Sequence, residues 1–171
     1  MGNPKVLAEP KEVLYRIKRG LAGYVSYLAA CEMNESFSEY VLYEPILRIL
    51  SAQNYSVKCE VVCPGVQHQP IGDRKRLDFV AEKGEIVFAM EVKWAKKNKI
   101  NVTNDIKKLR AYCNQQPNAQ GFLCVFGTES KIKNISLTHN DHIKNRGNPV
   151  IAEFGRTKYG CTIYELAEPG V

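Results

Sequence analysis

No apolar run in this 171-residue chain is long enough to cross a bilayer, and its first residues lack the basic-then-apolar layout of a secretory signal. Gly2 follows Met1, but Val6 stands where an N-myristoylation signal requires serine or threonine. These absences argue against a membrane, exported or lipid-anchored protein and set the expectation of a cytoplasmic one. No internal repeat is present, which argues against a solenoid. The lack of a Walker loop or a dinucleotide-binding glycine pattern argues against the common nucleotide-binding folds. Histidine is scarce, with three residues in all, and its one cluster, His139-Asn140-Asp141-His142, has poor ligand spacing and reads as a polar surface turn. Cys59 and Cys63 with His68 downstream suggest zinc, but a fourth ligand and a second close pair are missing, which favours a structural role. The six cysteines are expected to stay reduced, and Cys113 and Cys124 fall in apolar helix and strand patterns as small hydrophobes.

What is present is enough apolar residue, 44%, for one well-buried core in a chain too short for two. One domain is expected, preceded by an N-terminal helical extension over 1–36. Within the extension Leu14, Ile17, Leu21, Tyr24, Val25 and Leu28 recur at three- and four-residue spacing, the stripe of an amphipathic helix over 10–31. A second helix is predicted over 38–52, with Ser38 as N-cap and Pro45 marking a kink or a late start. Alternation predicts a strand over 55–62, and the proline- and glycine-bearing stretch 63–72 reads as a loop carrying Gln67, His68 and Gln69. Val102, Ile106, Leu109 and Cys113 predict a helix over 101–115, capped by Asn101 or Thr103. A buried strand over 120–126 and a final edge strand over 162–166 complete the pattern.

The most informative stretch is RLDFVAEKGEIVFAMEVK, residues 76–93. Two apolar runs, 76–81 and 85–94, flank a turn, and acids and a lysine interrupt them: Asp78 in the first, Glu91 and Lys93 in the second. Charged groups in buried strands are costly unless paired or bound to a metal. With Lys83-Gly84 as a two-residue loop, Glu82 pairs with Glu85 and Asp78 with Ala89. Opposite residues share a face and side chains alternate along each strand, so Asp78, Glu91 and Lys93 fall on one side. Leu77, Phe79, Ile86, Phe88, Met90, Val92 and Trp94 then form the other, core-directed face. Asp73 is a weaker alternative to Asp78.

Acid, spacer, acid-x-lysine on a hairpin resembles the PD-(D/E)XK nuclease superfamily, the restriction-endonuclease-like fold. Asp78 matches its first acid, Glu91 its second and Lys93 its lysine, while Leu77 replaces the name-giving proline. The resemblance implies an α/β core of order α-β-β-β-α-β, a mixed sheet flanked by helices, occupying 37–171. It also implies Mg2+, replaceable by Mn2+, held by Asp78, Glu91 and the backbone carbonyl of Val92, with Lys93 at the attacking water and Glu44 as the helix-borne acid. The implied activity is hydrolysis of DNA phosphodiester bonds; the alternative is a non-catalytic module of the same fold that binds nucleic acid or a partner protein. Charge agrees with a polyanionic substrate. Between Glu91 and Arg110 seven basic residues oppose two acids, so this window supplies five of the net charge of +6. Besides Lys93 these are Lys96, Lys97, Lys99, Lys107, Lys108 and Arg110, the expected nucleic-acid contacts. A homodimer or a separate targeting subunit suits so small a chain.

Overall fold

The alternating pattern of residues 56–94 folds as an antiparallel meander of β1 (Ser56–Val62), β2 (Arg76–Lys83) and β3 (Ile86–Trp94). The computed structural model describes residues 10–33, 38–67, 74–138, 142–153 and 155–167. After β3 come β4 (Lys99–Ile100), α3 (Thr103–Gln115), β5 (Ala119–Thr128), α4 (Glu129–Lys133) and β6 (Ser136–Leu137), then β7 (Ile143–Asn145), β8 (Val150–Ala152) and β9 (Tyr159–Leu166). The main sheet runs β1-β2-β3-β5-β9-β7, with β8 also on β9, and β3 lies parallel to β5 across the α3 crossover. β4 and β6 form a separate parallel pair. The protein is therefore α/β with a mixed sheet, and helices cover both of its faces. Among the described residues no helix is long and apolar enough to cross a membrane.

Both faces are dry. On one, α1 (Lys11–Ala30) and α2 (Tyr43–Ala52) pack Ile17, Leu21, Ile46 and Leu50 against Phe79, Phe88, Met90, Phe122 and Phe126. On the other, Ile106 and Leu109 of α3 cover Val80, Ala89, Leu123 and Val125. A sheet buried on two sides reads as apolar runs rather than clean alternation, as GFLCVF in β5 does. The helix expected within an extension over 1–36 is thus part of the core, with Ile17 and Leu21 fully buried. Its Lys18 is buried too, and Nζ donates to the carbonyls of Arg146 and Asn148 at 3.0 Å, tying α1 to the β7–β8 connection.

Several sequence expectations are corrected. The hairpin loop is Gly84-Glu85, with Gly84 at φ 58 in the first loop position, the place a type II′ turn reserves for glycine. Lys83 pairs with Ile86 and Phe79 with Met90, so one further step of the register sets Asp78 opposite Glu91, not Ala89. The shift is two residues, which leaves the pairing parity of the two strands unchanged. Leu77 leaves the face of Phe79 and joins the opposite cluster. The change falls where the β1–β2 ladder skips Glu60 and Asp78 and Glu60 adopts φ 53. β9 is not an edge strand, because the three-residue strands β7 and β8 pair along its outer side. Helix 38–52 starts late: Glu39–Leu42 is a 3-10 turn, and Pro45 sits in the first turn of α2, where its missing N–H has no intrahelical partner to lose.

Candidate functional site

Asp78 occupies the end of the β2–β3 ladder, and its side chain replaces the next ladder bond. Its Oδ2 accepts the Val92 N–H at 2.7 Å. Its Oδ1 lies 2.7 Å from the Tyr43 hydroxyl, which is also 2.7 Å from Glu60 Oε1. Tyr43 is brought there by α2, with its ring 4.6 Å from that of Phe79. A phenol carries one proton, so it donates to only one of the two carboxylates at a time. The second contact requires a proton on a carboxyl group. Burial, the largest influence, raises the Asp78 pKa against the lowering effect of the Val92 and Tyr43 hydrogen bonds. Burial and the two acids also push the Tyr43 hydroxyl well above its ordinary value, so it remains a donor.

Glu91, on β3, is 2% exposed. Its Oε2 accepts from Lys108 Nζ at 2.5 Å, while Oε1 is buried without a hydrogen-bond partner among the described residues. Burial first, and the facing Asp78 second, push its pKa up to about 9, although Lys108 pulls the other way. Carboxylates directly opposite in an antiparallel pair repel, and burial removes the water that would screen them. This pair is short of positive charge.

Lys93, two residues on, stands 3.3 Å from Asp105 Oδ2 and 4.0 Å from Glu39 Oε1. Burial alone would lower its pKa, but Asp105 and then Glu39 carry it upward, so it is held as an ammonium ion. Asp105 is buried in the first turn of α3, where a carboxylate also benefits from the helix dipole. Glu39 Oε1 further accepts the Trp94 N–H at 3.1 Å, anchoring the 3-10 turn to the end of β3.

Asp78 and Glu91 therefore lie close enough to influence each other, as do Glu91 and Lys93, but Glu44 does not join them. Its exposed carboxylate pairs with Arg48 one helical turn on. The acid that the turn before α2 delivers is Glu39, which sequence reasoning missed because a residue after a serine N-cap ordinarily faces solvent. Glu60, Tyr43 and Asp105 were missed as well. The Asp105-to-Lys108 spacing on one helix was the available signal for α3. Of the lysines expected on the surface, Lys96, Lys97, Lys99 and Lys107 are exposed, and Lys96 lies 4.7 Å over the Trp94 ring. Arg110 is half-buried, and Lys108 points into the site with 16% of its side chain exposed.

Among the described residues no group of three or more His, Cys, Asp or Glu is arranged to hold a metal ion. Cys63 is buried, with its thiol 3.3 Å from the Lys108 carbonyl. His142 begins the approach to β7, where its carbonyl accepts the Ala167 N–H. His68, Gln69, Asp73 and His139-Asn140-Asp141 lie outside the described residues. Compared with protein-family models, curated proteins and solved structures, the chain matches none.

Proposed function

We propose that this protein is a Mg2+-dependent endonuclease of the PD-(D/E)XK superfamily that hydrolyses DNA phosphodiester bonds in the cytoplasm. The observation that carries the reading is the charge deficit where Asp78, half-buried at the end of the β2–β3 ladder, meets Glu91, which is buried and has one oxygen with no hydrogen-bond partner among the described residues. The order of the main elements, helix, three-stranded meander, helix and parallel strand, supports the restriction-endonuclease-like fold, with β9 and its partners added beyond it. A hard divalent cation prefers oxygen ligands and keeps several waters, so two carboxylates and a carbonyl suffice. Asp78 and Glu91 would hold the ion together with the carbonyl of Val92, whose amide already bonds Asp78.

Bound there, Mg2+ supplies charge neutralisation at the scissile phosphate and acidifies water. Lys93 is kept charged and oriented by Asp105 and Glu39, and its ammonium stabilises the charge that builds on phosphate oxygens. Tyr43 fixes Asp78 through its hydroxyl, which also contacts Glu60. The exposed lysines around the end of β3 and on α3 receive the flanking phosphates. The Lys108–Glu91 ion pair favours the second reading, a nucleic-acid- or protein-binding module of the same fold in which the acids are neutralised internally.

Supercoiled, linear and single-stranded DNA, incubated with and without Mg2+ or Mn2+, separates the two. Metal-dependent cleavage is expected, falling at least about 100-fold in Asp78→Ala, Glu91→Ala and Lys93→Ala proteins that remain folded. A folded Asp78→Ala or Glu91→Ala protein with full activity would remove the site from the chemistry. Glu44→Ala should leave activity unchanged.

A further inference from the structure

Lys108 lies on α3 three residues after Asp105 and reaches across to the sheet. Its ammonium donates to Glu91 Oε2 at 2.5 Å and to the Arg76 carbonyl of β2 at 2.8 Å, with Asp105 Oδ1 at 3.9 Å. A cation set among oxygens, on one oxygen of a buried carboxylate whose other oxygen has no hydrogen-bond partner among the described residues, occupies the kind of environment a hard divalent ion takes. Resting on the nuclease reading, we propose that Lys108 is an internal counter-ion that occupies Glu91 until metal and substrate arrive, when its ammonium leaves for a DNA phosphate.

The argument is one of charge and space. Glu91 is buried beside half-buried Asp78, and a compensating positive charge comes from within the chain. Lys108 provides it at the cost of occupying Glu91. A divalent ion at the same carboxylate and an ammonium 2.5 Å from it repel strongly where water cannot screen them, so occupancy by one disfavours the other. A phosphodiester offers the displaced ammonium a new anionic partner, and the long lysine stem gives it reach. DNA and metal must then strengthen each other's binding by the same factor, because linkage is reciprocal. Lys108 is thus a positioning residue for the metal, and its removal should produce a gain of metal affinity. A purely structural brace between α3 and β2 predicts no gain.

The test is a Mn2+ titration by calorimetry on the wild-type protein and on Lys108→Gln, each verified as folded by circular dichroism, followed by the same titration with a short DNA duplex in a cleavage-blocked Lys93→Ala background. Without DNA, Lys108→Gln should bind Mn2+ about 10-fold more tightly than wild type. With Lys108 present, DNA should tighten Mn2+ binding by about 10-fold more than it does in the double variant, where only direct contact between metal and phosphate couples the two. Should Lys108→Gln fail to fold, Lys108→Met repeats the first comparison, and the DNA enhancement in the Lys93→Ala protein stands alone as the second. Equal or weaker Mn2+ binding without Lys108, or no DNA enhancement when Lys108 is present, overturns the exchange and leaves the nuclease reading intact. No Mn2+ binding by any of these proteins, with or without DNA, overturns both.

Discussion

At the scale of single residues, the site is defined by protons that do not go round. Tyr43 has one proton for Asp78 and Glu60, and Glu91 has one ammonium for two buried oxygens. The consequence can be read in stability against pH. Glu91 titrates at about 9 in the folded protein against an ordinary 4.5, and Asp78 is raised as well. Between those values the folded chain holds more protons than the unfolded one, so metal-free stability falls as pH rises. In the presence of a chelator, the melting temperature should therefore drop from about pH 5 to about pH 9. Glu91→Gln, which needs no proton to be neutral, should flatten the profile and exceed wild type at the alkaline end by several degrees, at about 2–4 °C per kcal/mol. A wild-type melting temperature that rises over this range would show that Glu91 is ionised and fully compensated in the fold. Added Mn2+ should raise the alkaline limb of the wild-type profile, because ligation stabilises the folded state.

At the scale of elements, what could be read in advance was what periodicity controls. Period-two alternation placed β1, apolar runs placed β2, β3 and β5, and three- and four-residue spacing placed α1 and α3, each within a residue or two. The pairing parity of β2 and β3 survived a two-residue error in register, because parity depends only on odd or even spacing, but alternation does not carry through Asp78, where Leu77 changes face. The error itself arose because Gly84 can stand at either loop position, and only tertiary packing selects the first. The reach of Glu39 was hidden by a 3-10 turn that local sequence does not distinguish from an early helix. β7 and β8 were hidden because three residues carry no period. The left-handed backbone at Glu60 had no signal either, since glutamate rarely adopts it. That conformation costs about 1–2 kcal/mol in an L-residue with a Cβ and nothing comparable in glycine. Glu60→Gly and Glu60→Ala both lose the carboxylate beside Tyr43, but only glycine relieves the backbone. Urea denaturation should find the glycine variant more stable by about 1 kcal/mol. The opposite ranking would place Glu60 outside the left-handed region in solution.

At the scale of the whole molecule, acids and bases are segregated into a centre and a rim. Near the end of the β2–β3 ladder Glu39 and Asp105 lie by Lys93, Glu91 by Lys108 and Glu60 by Arg76, with Asp78 close to Glu91, yet the chain carries a net charge of +6. Lys96, Lys97 and Lys99 follow directly where β3 leaves the sheet, and Lys107 adjoins Lys108 on the exposed side of α3. An acidic centre repels a polyanion that the rim attracts, so affinity and chemistry call for opposite changes. Replacing Lys96, Lys97, Lys99 and Lys107 with glutamine should weaken DNA binding and reduce the slope of log affinity against log salt by about 0.9 for each duplex phosphate that the variant no longer neutralises. Asp78→Asn, measured without divalent ions, should instead strengthen binding and leave that slope unchanged, because it removes repulsion and releases no counter-ion. Fluorescence anisotropy across a salt series reads both effects from the same curves. An unchanged slope in the quadruple variant would move the DNA-binding surface away from β3 and α3, and weaker binding by Asp78→Asn would mean that the acidic centre does not face the phosphates.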